Sequence, residues 1–563
     1  MPQKRVAAVG GALLMFLMIS AATLAVLVFG RGEQLTAAAA QQRSRSFPYY
    51  QYARGDILDR RGRPLVNAEE PCLVVLPAMT GGREEELASA LSRLLGLDRD
   101  QLAARLQSAA DSSLQPVVLK TGLTAAEKAA LEEAAIPGIV VLTLAARYDR
   151  QHTASQLIGT VQAQEGNGGY QGVSGLEAQY DDLLSGREDL QVQIEVDARG
   201  RMKGTAELSA PAAIRASSIT LTLDKDHQQI AEQALTEAGL PGSCVVMDPA
   251  NGDILALASY PGFDPYGWDS APEGAYIQRA LQLYPPASTF KTVLAAAALA
   301  ENVRPAPPAA AGAVDGQEKT EEADGVFVCS GSYTLSDGRT VSCAGKRAHG
   351  KVDLTRALAL SCNCYFVALG EALDGETVLD YSRRLGLDRL SVTGLDCDNE
   401  DTAFFDFDGD IPGELANACL GEDGVSISPV QEAALFSVFA NGGFLVKPRL
   451  VTAAYDRAGG VRDYPSQVPR RVLPARDAET IRLMLGLVVE EGTGSAARGD
   501  HVSVGGKTGS SETGTVWFSG FFPAEDPRLV AVVCLERGSA GGVEAAAVFR
   551  RVADAITLLD GRV

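Results

Sequence analysis

Histidine, aromatic residues and positive charge are all scarce in this 563-residue chain, and each scarcity removes a class of function. The four histidines, at 152, 227, 349 and 501, show no metal-ligand spacing, and Cys362 and Cys364 are only two apart. Both sets therefore read as packing residues, with no metal site. Lys plus Arg number 50 against 71 Asp plus Glu, a formal net charge of −21. Such a surface does not attract phosphates, so nucleic acid is set aside as a partner. Nine cysteines, an odd number spread from 72 to 534, are too scattered for a disulfide scaffold. Cys329 and Cys343 share one Gly/Ser-rich loop, where a short bridge and two free thiols are equally compatible with the sequence. Nucleotide and calcium loops are missing too. Gly506-Lys507-Thr508 looks like the end of a phosphate loop, but His501 stands where a Gly is needed. In Asp406-Phe407-Asp408-Gly409-Asp410, Ile411 replaces the required Gly and Asn417 the closing Glu, which leaves a solvated acidic loop.

What is present begins with one long apolar run. Val6 to Phe29 carries no charge, and 24 residues of helix span a bilayer core. A cleaved signal peptide is the rival reading, but the run is too long and Ala37 to Ala40 lie too far beyond it. Orientation stays open on charge alone, because Lys4 and Arg5 on one side face Arg31, Arg43 and Arg45 on the other. The remainder, with 46% hydrophobic and 21% charged residues overall, has the composition of two or three globular domains.

Four segments follow from the pattern: residues 1–30 as tail and anchor, 31–53 as a polar stalk, 54–215 as one α+β module, and 216–563 as a second. In the first module Cys72 to Pro77, Pro116 to Leu119 and Ile139 to Leu144 read as strands, and Arg83 to Leu95 and Thr124 to Ala134 as helices. In the second, Cys244 to Met247 and Ile254 to Leu257 flank an Asn-Gly turn and predict a hairpin. Val502 to Ser510, Thr515 to Phe522 and Leu529 to Glu536 add three strands. Five strands in short-turn connections imply an antiparallel sheet, covered by helices from the Ala-rich stretches. Residues from Arg304 to Asp324, rich in Pro, Ala, Gly and acids, read as a surface loop.

Three motifs carry chemistry. Ser288-Thr289-Phe290-Lys291 follows Pro285-Pro286-Ala287 and opens an apolar helix, so the Ser288 hydroxyl and the Lys291 amine share one face a turn apart. A lysine becomes a usable base when burial and the positive helix end disfavour its charged form. Ser361-Cys362-Asn363 follows the helical pattern Leu354 to Leu360 and aims a hydroxyl and an amide at one spot. Lys507-Thr508-Gly509-Ser510 ends a strand candidate; the same tripeptide at Lys120-Thr121-Gly122 precedes Ser288 and reads as chance.

Taken in order, Ser-x-x-Lys, Ser-x-Asn and Lys-Thr-Gly resemble the signature of the penicillin-recognising serine transferases. Arg54-Gly55-Asp56-Ile57-Leu58-Asp59-Arg60 with Gly62, Gly172 to Glu177, His349-Gly350, and Ser428 to Gln431 with Ala440 to Gly443 narrow the resemblance to class B penicillin-binding proteins. The resemblance implies an α+β chain: one transmembrane helix, a pedestal domain over 54–215, and a transpeptidase domain with a five-stranded antiparallel sheet over 216–563. It implies a cytoplasmic N-terminus, a catalytic domain outside the cell membrane, and a separate glycosyltransferase membrane protein as partner. It further implies serine acyl transfer on peptidoglycan stem peptides ending in D-Ala-D-Ala, without metal or other cofactor, and acylation by β-lactams. Ser288 is then the nucleophile, Lys291 its base, Ser361 a proton relay and Asn363 a tether for Lys291 and the peptide. Lys507, with Thr508, Gly509 and Ser510, binds the substrate carboxylate, and backbone N–H groups of Ser288 and Ser510 form an oxyanion hole.

Departures from the family pattern are Ala287 for the usual Gly, Gly421-Glu422-Asp423-Gly424 for Gly-Gln-Gly, and Ser510 for Thr. The other functions compatible with the same fold are a non-catalytic β-lactam sensor or scaffold, a D,D-carboxypeptidase and a β-lactamase.

Overall fold

The computed structural model describes residues 2–30, 44–51, 54–112, 116–148, 151–163, 170–185, 188–196, 202–209, 217–266, 271–305, 326–397, 404–538 and 541–561. All but the first two residues of the expected 304–324 loop lie outside these, as does most of the 31–53 stalk. The apolar run forms helix Pro2–Ala25, extended by a π-type turn Val26–Gly30, and its Ala8–Val28 stretch is long and apolar enough to cross a membrane.

Two compact units interleave along the sequence. One takes residues 1–53, 68–147 and 186–214; the other takes 54–67, 148–185 and 215–563. In the first, strand Val66–Val75 runs between Val117–Lys120 and Ile139–Tyr148. Its alternation is two-sided. Leu73 and Val75 meet Leu87 and Leu91 of helix Glu84–Leu95 and Leu102 and Leu106 of helix Arg99–Ser112, while Cys72, Val74 and Leu76 cluster with Val192 and Ile194 on the other face. Thr124 and Glu127 close a reciprocal capping box on helix Ala125–Ala134, which fixes its start. Ser44–Gln51, expected as stalk, instead forms a strand antiparallel to Glu188–Val196, which pairs in turn with Met202–Ser209. A polar, aromatic-containing stretch with a pairing partner satisfies its backbone in a sheet, and that partner is far away in sequence.

The second unit holds the five-stranded antiparallel sheet. Its order is Ile254–Tyr260, Gly242–Met247, Leu529–Leu535, Val516–Phe522, Gly505–Ser510. Alternate residues again sort by face. Cys244, Val246, Phe518 and Val533 pack with Ala231 and Leu235 of helix Lys225–Ala238 and with Phe549 and Ile556 of helix Val543–Asp560. Val245, Met247, Trp517 and Val532 pack with Phe290, Val293 and Phe436 on the opposite side, where helices Lys291–Glu301 and Pro429–Ala440 lie.

The early segments have defined partners in this unit. Asp56–Leu58 runs parallel to Ser218–Leu221, itself antiparallel to Val451–Tyr455. Buried Arg54 pairs with the carboxylate of Glu177, which is fully enclosed, and with Asp181 at 2.7 Å. Arg63 ties Asp59 (2.7 Å), Asp224 (3.0 Å) and Asp226 (2.8 Å) together.

Candidate active site

Three elements of the second unit converge on one cleft. Trp517 Nε1 donates to the Pro285 carbonyl at 2.9 Å, pinning the segment ahead of the nucleophile candidate. Ala287 then takes a left-handed backbone, φ 50°, and its N–H donates to the Gly421 carbonyl at 2.7 Å. A Cβ at Gly421 would overlap the Ala287 carbonyl, so this approach requires glycine there. The tight turn Ala287–Thr289 leads into helix Lys291–Glu301, whose first eight residues are buried.

Ser361 sits at φ 53° between helices Leu354–Ala359 and Asn363–Leu373. That reversal lets Ser361 and Asn363 both face the nucleophile helix. Lys507 comes from the edge strand Gly505–Ser510, which lies so near the turn that a Cβ on Gly509 would stand 2.8 Å from the Pro286 carbonyl oxygen.

Lys291 Nζ lies 2.9 Å from Ser288 Oγ, 2.6 Å from Asn363 Oδ1, 3.3 Å from Ser361 Oγ and 3.2 Å from the Ser361 carbonyl oxygen. Lys507 Nζ donates to Ser361 Oγ at 3.0 Å and to the Thr508 carbonyl at 2.8 Å. Asn363 Nδ2 donates to the Ser342 carbonyl at 3.1 Å, so the amide oxygen is turned toward Lys291. Ser510 Oγ accepts from Gly541 N–H at 2.9 Å. The structure thus gathers Ser288, Lys291, Ser361, Asn363 and Lys507 into one hydrogen-bonded set, with Thr508, Gly509 and Ser510 on the adjoining strand.

Both lysines are fully enclosed. Burial pulls Lys291 down to about 8, and burial together with the charge of Lys291 holds Lys507 well below its ordinary range. An amine that gives up its proton near 8, 2.9 Å from a hydroxyl, is suited to act as a general base. Burial also pushes Glu422 up to about 7, while its carboxylate accepts from Glu512 N–H at 3.2 Å.

Residues 242–554 match the penicillin binding protein transpeptidase domain and residues 50–213 the penicillin-binding protein dimerisation domain. The chain belongs to the class B penicillin-binding proteins. It is 30% identical to Stage V sporulation protein D of Bacillus subtilis, over 91% of this chain and 78% of that one. It is 24% identical to the peptidoglycan D,D-transpeptidase MrdA of Acinetobacter baumannii, over 94% and 84% respectively. Among solved structures, the D,D-transpeptidase domain of a peptidoglycan glycosyltransferase from Eggerthella lenta superposes with TM-score 0.58 and 27% identity, covering 75% of this chain and 94% of that one.

Three features of this penicillin-binding protein escape the sequence reading. Thr493 Oγ1 lies 2.9 Å from Thr508 Oγ1, behind the binding strand. Glu432 lies fully buried beside the Thr289 and Ser519 hydroxyls. Most consequential, Cys329, Cys343, His349 and Cys362 bring one donor atom each within 4.8 Å of one another, an arrangement able to hold a metal ion. His349 and Cys362, expected as packing residues, both stand in this cluster, and Cys362 is fully buried in the core. Their separation in sequence conceals a juxtaposition made by the fold. Cys329 and Cys343 are free thiols with sulfurs 3.7 Å apart, not a disulfide.

Proposed function

We propose that this penicillin-binding protein cross-links peptidoglycan stem peptides through an acyl-enzyme on Ser288. The observation that carries this reading is the enclosed Lys291 amine, 2.9 Å from Ser288 Oγ and tethered by Asn363. Ser288 Oγ attacks the carbonyl of the penultimate D-Ala while Lys291 takes its proton. The N–H groups of Ser288 and Ser510 stabilise the oxyanion, each such donor lowering the barrier by about 3 kcal/mol. Ser361, bridged to both lysines, returns the proton to the departing D-Ala amine. Lys507, Thr508 and Ser510 hold the terminal carboxylate. An amine from a neighbouring strand then attacks the ester, restoring the Ser288 hydroxyl and forming the new amide. One amide replaces another, so the exchange needs no ATP. A β-lactam offers the same groups a strained amide and a carboxylate, and its ester on Ser288 persists.

The helix Pro2–Ala25 serves as a single membrane anchor with the N-terminus cytoplasmic and both domains, 54–215 and 216–563, outside. A separate glycosyltransferase of the membrane supplies the glycan strands. The deciding experiment is intact-mass spectrometry after incubation with a fluorescent penicillin. One stable adduct on the wild type and none on Ser288→Ala are expected; an equal adduct on Ser288→Ala would overturn the assignment.

A further inference from the structure

The chain carries 71 acidic against 50 basic residues, yet the charge lining one cavity of the second unit is almost all positive. The cavity encloses about 540 Å³, and none of Ser288, Lys291, Ser361, Asn363 and Lys507 lines it. Arg383, Arg389, Lys447 and Arg470 do, against a single carboxylate, that of Asp388. Between them lies an apolar floor of Leu390, Val430 and Val446, each no more than 2% exposed.

Local structure brings these groups together. Helix Gly375–Arg384 ends at Arg383 and Arg384, and the chain turns through Gly386, at φ 84°, into the segment carrying Asp388 and Arg389. Leu445 pairs with Arg470 in a two-stranded ribbon, Phe444–Leu445 against Arg470–Arg471. Thr393 N–H donates to the Pro448 carbonyl at 2.8 Å, so the chain beyond Arg389 is fastened to the chain beyond Lys447. Gln431 Nε2 donates to the Leu387 carbonyl at 3.0 Å, which joins helix Pro429–Ala440 to the same wall.

The adjacent arginines are engaged, whereas three of the cavity cations are not neutralised. Arg384 Cζ lies 4.5 Å from the Tyr381 ring centre with Asp380 3.6 Å from its guanidinium, and Arg471 Cζ lies 4.1 Å from the Phe444 ring centre. Arg470 donates to the Arg384 carbonyl at 3.2 Å, and among the described residues no ion pair engages Arg383, Lys447 or Arg470. Like charges spread over a convex face point apart into water. Around a concavity with an apolar floor they focus one positive potential. Guanidinium forks grip phosphate oxygens two at a time, and an ammonium adds a point charge. A phosphate ester brings up to two negative charges and three strong acceptor oxygens, which several cations match better than they match one carboxylate. A cavity in the range of small-molecule sites, about 300–1,000 Å³, has room for more than the phosphate alone.

We propose that this cavity binds an organic phosphate ester, with its phosphate held by Arg383, Lys447 and Arg470 and its carbon skeleton laid on Leu390, Val430 and Val446. The site takes no part in acyl transfer, and the proposal does not depend on Ser288 being the nucleophile. Two sources present this chemistry, a soluble polyol phosphate and a phospholipid headgroup.

The test is isothermal titration calorimetry on the full chain in non-ionic detergent, with glycerol 3-phosphate as the probe. One saturable site per chain is expected, weakening as salt rises. Arg383→Glu and Lys447→Glu each lower the affinity at least roughly tenfold, whereas Arg528→Glu, outside the cavity, retains it. Fluorescent-penicillin labelling reports that the variants are folded, and the wild-type titration stands by itself if one is not. Dihexanoyl phosphatidylglycerol, kept below its micellar concentration, separates the sources: tighter binding than glycerol 3-phosphate assigns a lipid headgroup, equal or weaker binding a soluble phosphate. No saturable binding to the wild type, unchanged affinity in both cavity variants, or succinate bound as tightly as glycerol 3-phosphate would each overturn the proposal.

Discussion

Glu432 carries no exposed surface, and its carboxyl faces only the Thr289 and Ser519 hydroxyls, with no cation among its named neighbours. Burial raises it to about 7. A carboxyl raised on folding contributes fully at low pH, where folded and unfolded chains both hold the proton. Above the ordinary carboxylate range the unfolded chain ionises first, so stability falls until the pH passes about 7, by on the order of 3 kcal/mol. Glu432→Gln is therefore expected to raise the melting temperature markedly at about pH 8 and little at about pH 4.5; an equal rise at both would refute this. Glu422 acts on the chemistry instead. Its carboxylate ionises near 7 and its charge favours the protonated form of Lys291, whose own loss of a proton near 8 creates the base. Acylation of the wild type thus rises with pH toward about 8, and Glu422→Gln moves that rising limb to lower pH in stopped-flow penicillin labelling. A limb that stays in place would show that Glu422 does not reach Lys291. The serines and lysines of the site are legible in the sequence because their spacing is itself the chemistry. Glu432 is not, since it sits on helix Pro429–Ala440 beside Gln431, and nothing in that stretch marks which neighbours enclose it.

At the scale of elements, the meeting of nucleophile turn and binding strand rests on backbone positions. Ala287 holds φ 50° where a Cβ is disfavoured, and Gly421 and Gly509 admit close approach from either side. Ala287→Gly relieves the left-handed cost, partly offset by a freer unfolded chain, so a gain of up to about 1 kcal/mol is expected with acylation retained. Thermal unfolding checks it, and a loss of stability would show that surrounding contacts already favour alanine. Four of the five strands are legible because each is a short, mainly apolar run between turn residues, and the fifth, Gly505–Ser510, is legible from its Lys-Thr-Gly. The meeting of Cys329, Cys343, His349 and Cys362 is not, because it depends on where three short strands and one helix start come to rest.

For the whole molecule, the organisation that sequence order conceals is interleaving. Residues 54–67 and 148–185 belong to the unit that carries the active site, although both precede its sheet. A chain beginning at residue 217 would leave Ser218–Leu221 without its parallel neighbour and lacks the Arg54–Glu177 pair altogether. Such a truncated chain is expected to melt well below one beginning at residue 54 and to label weakly with penicillin; equal melting temperatures would show that the early segments are dispensable. Within the longer chain Arg54→Ala strands a buried Glu177 charge, a loss of about 3–5 kcal/mol. The parallel pairing of Asp56–Leu58 with Ser218–Leu221 also has a temporal meaning. A ribosome delivers the chain from its N-terminus, so this strand emerges well before the residues that receive it. Until then only its local side is paired, through Leu65 N–H to the Ile57 carbonyl, and the edge that meets Ser218–Leu221 stays open. Parallel pairing therefore imposes an order of assembly: the early strand keeps one open edge through the delivery of the intervening chain, an interval in which mispairing competes with folding.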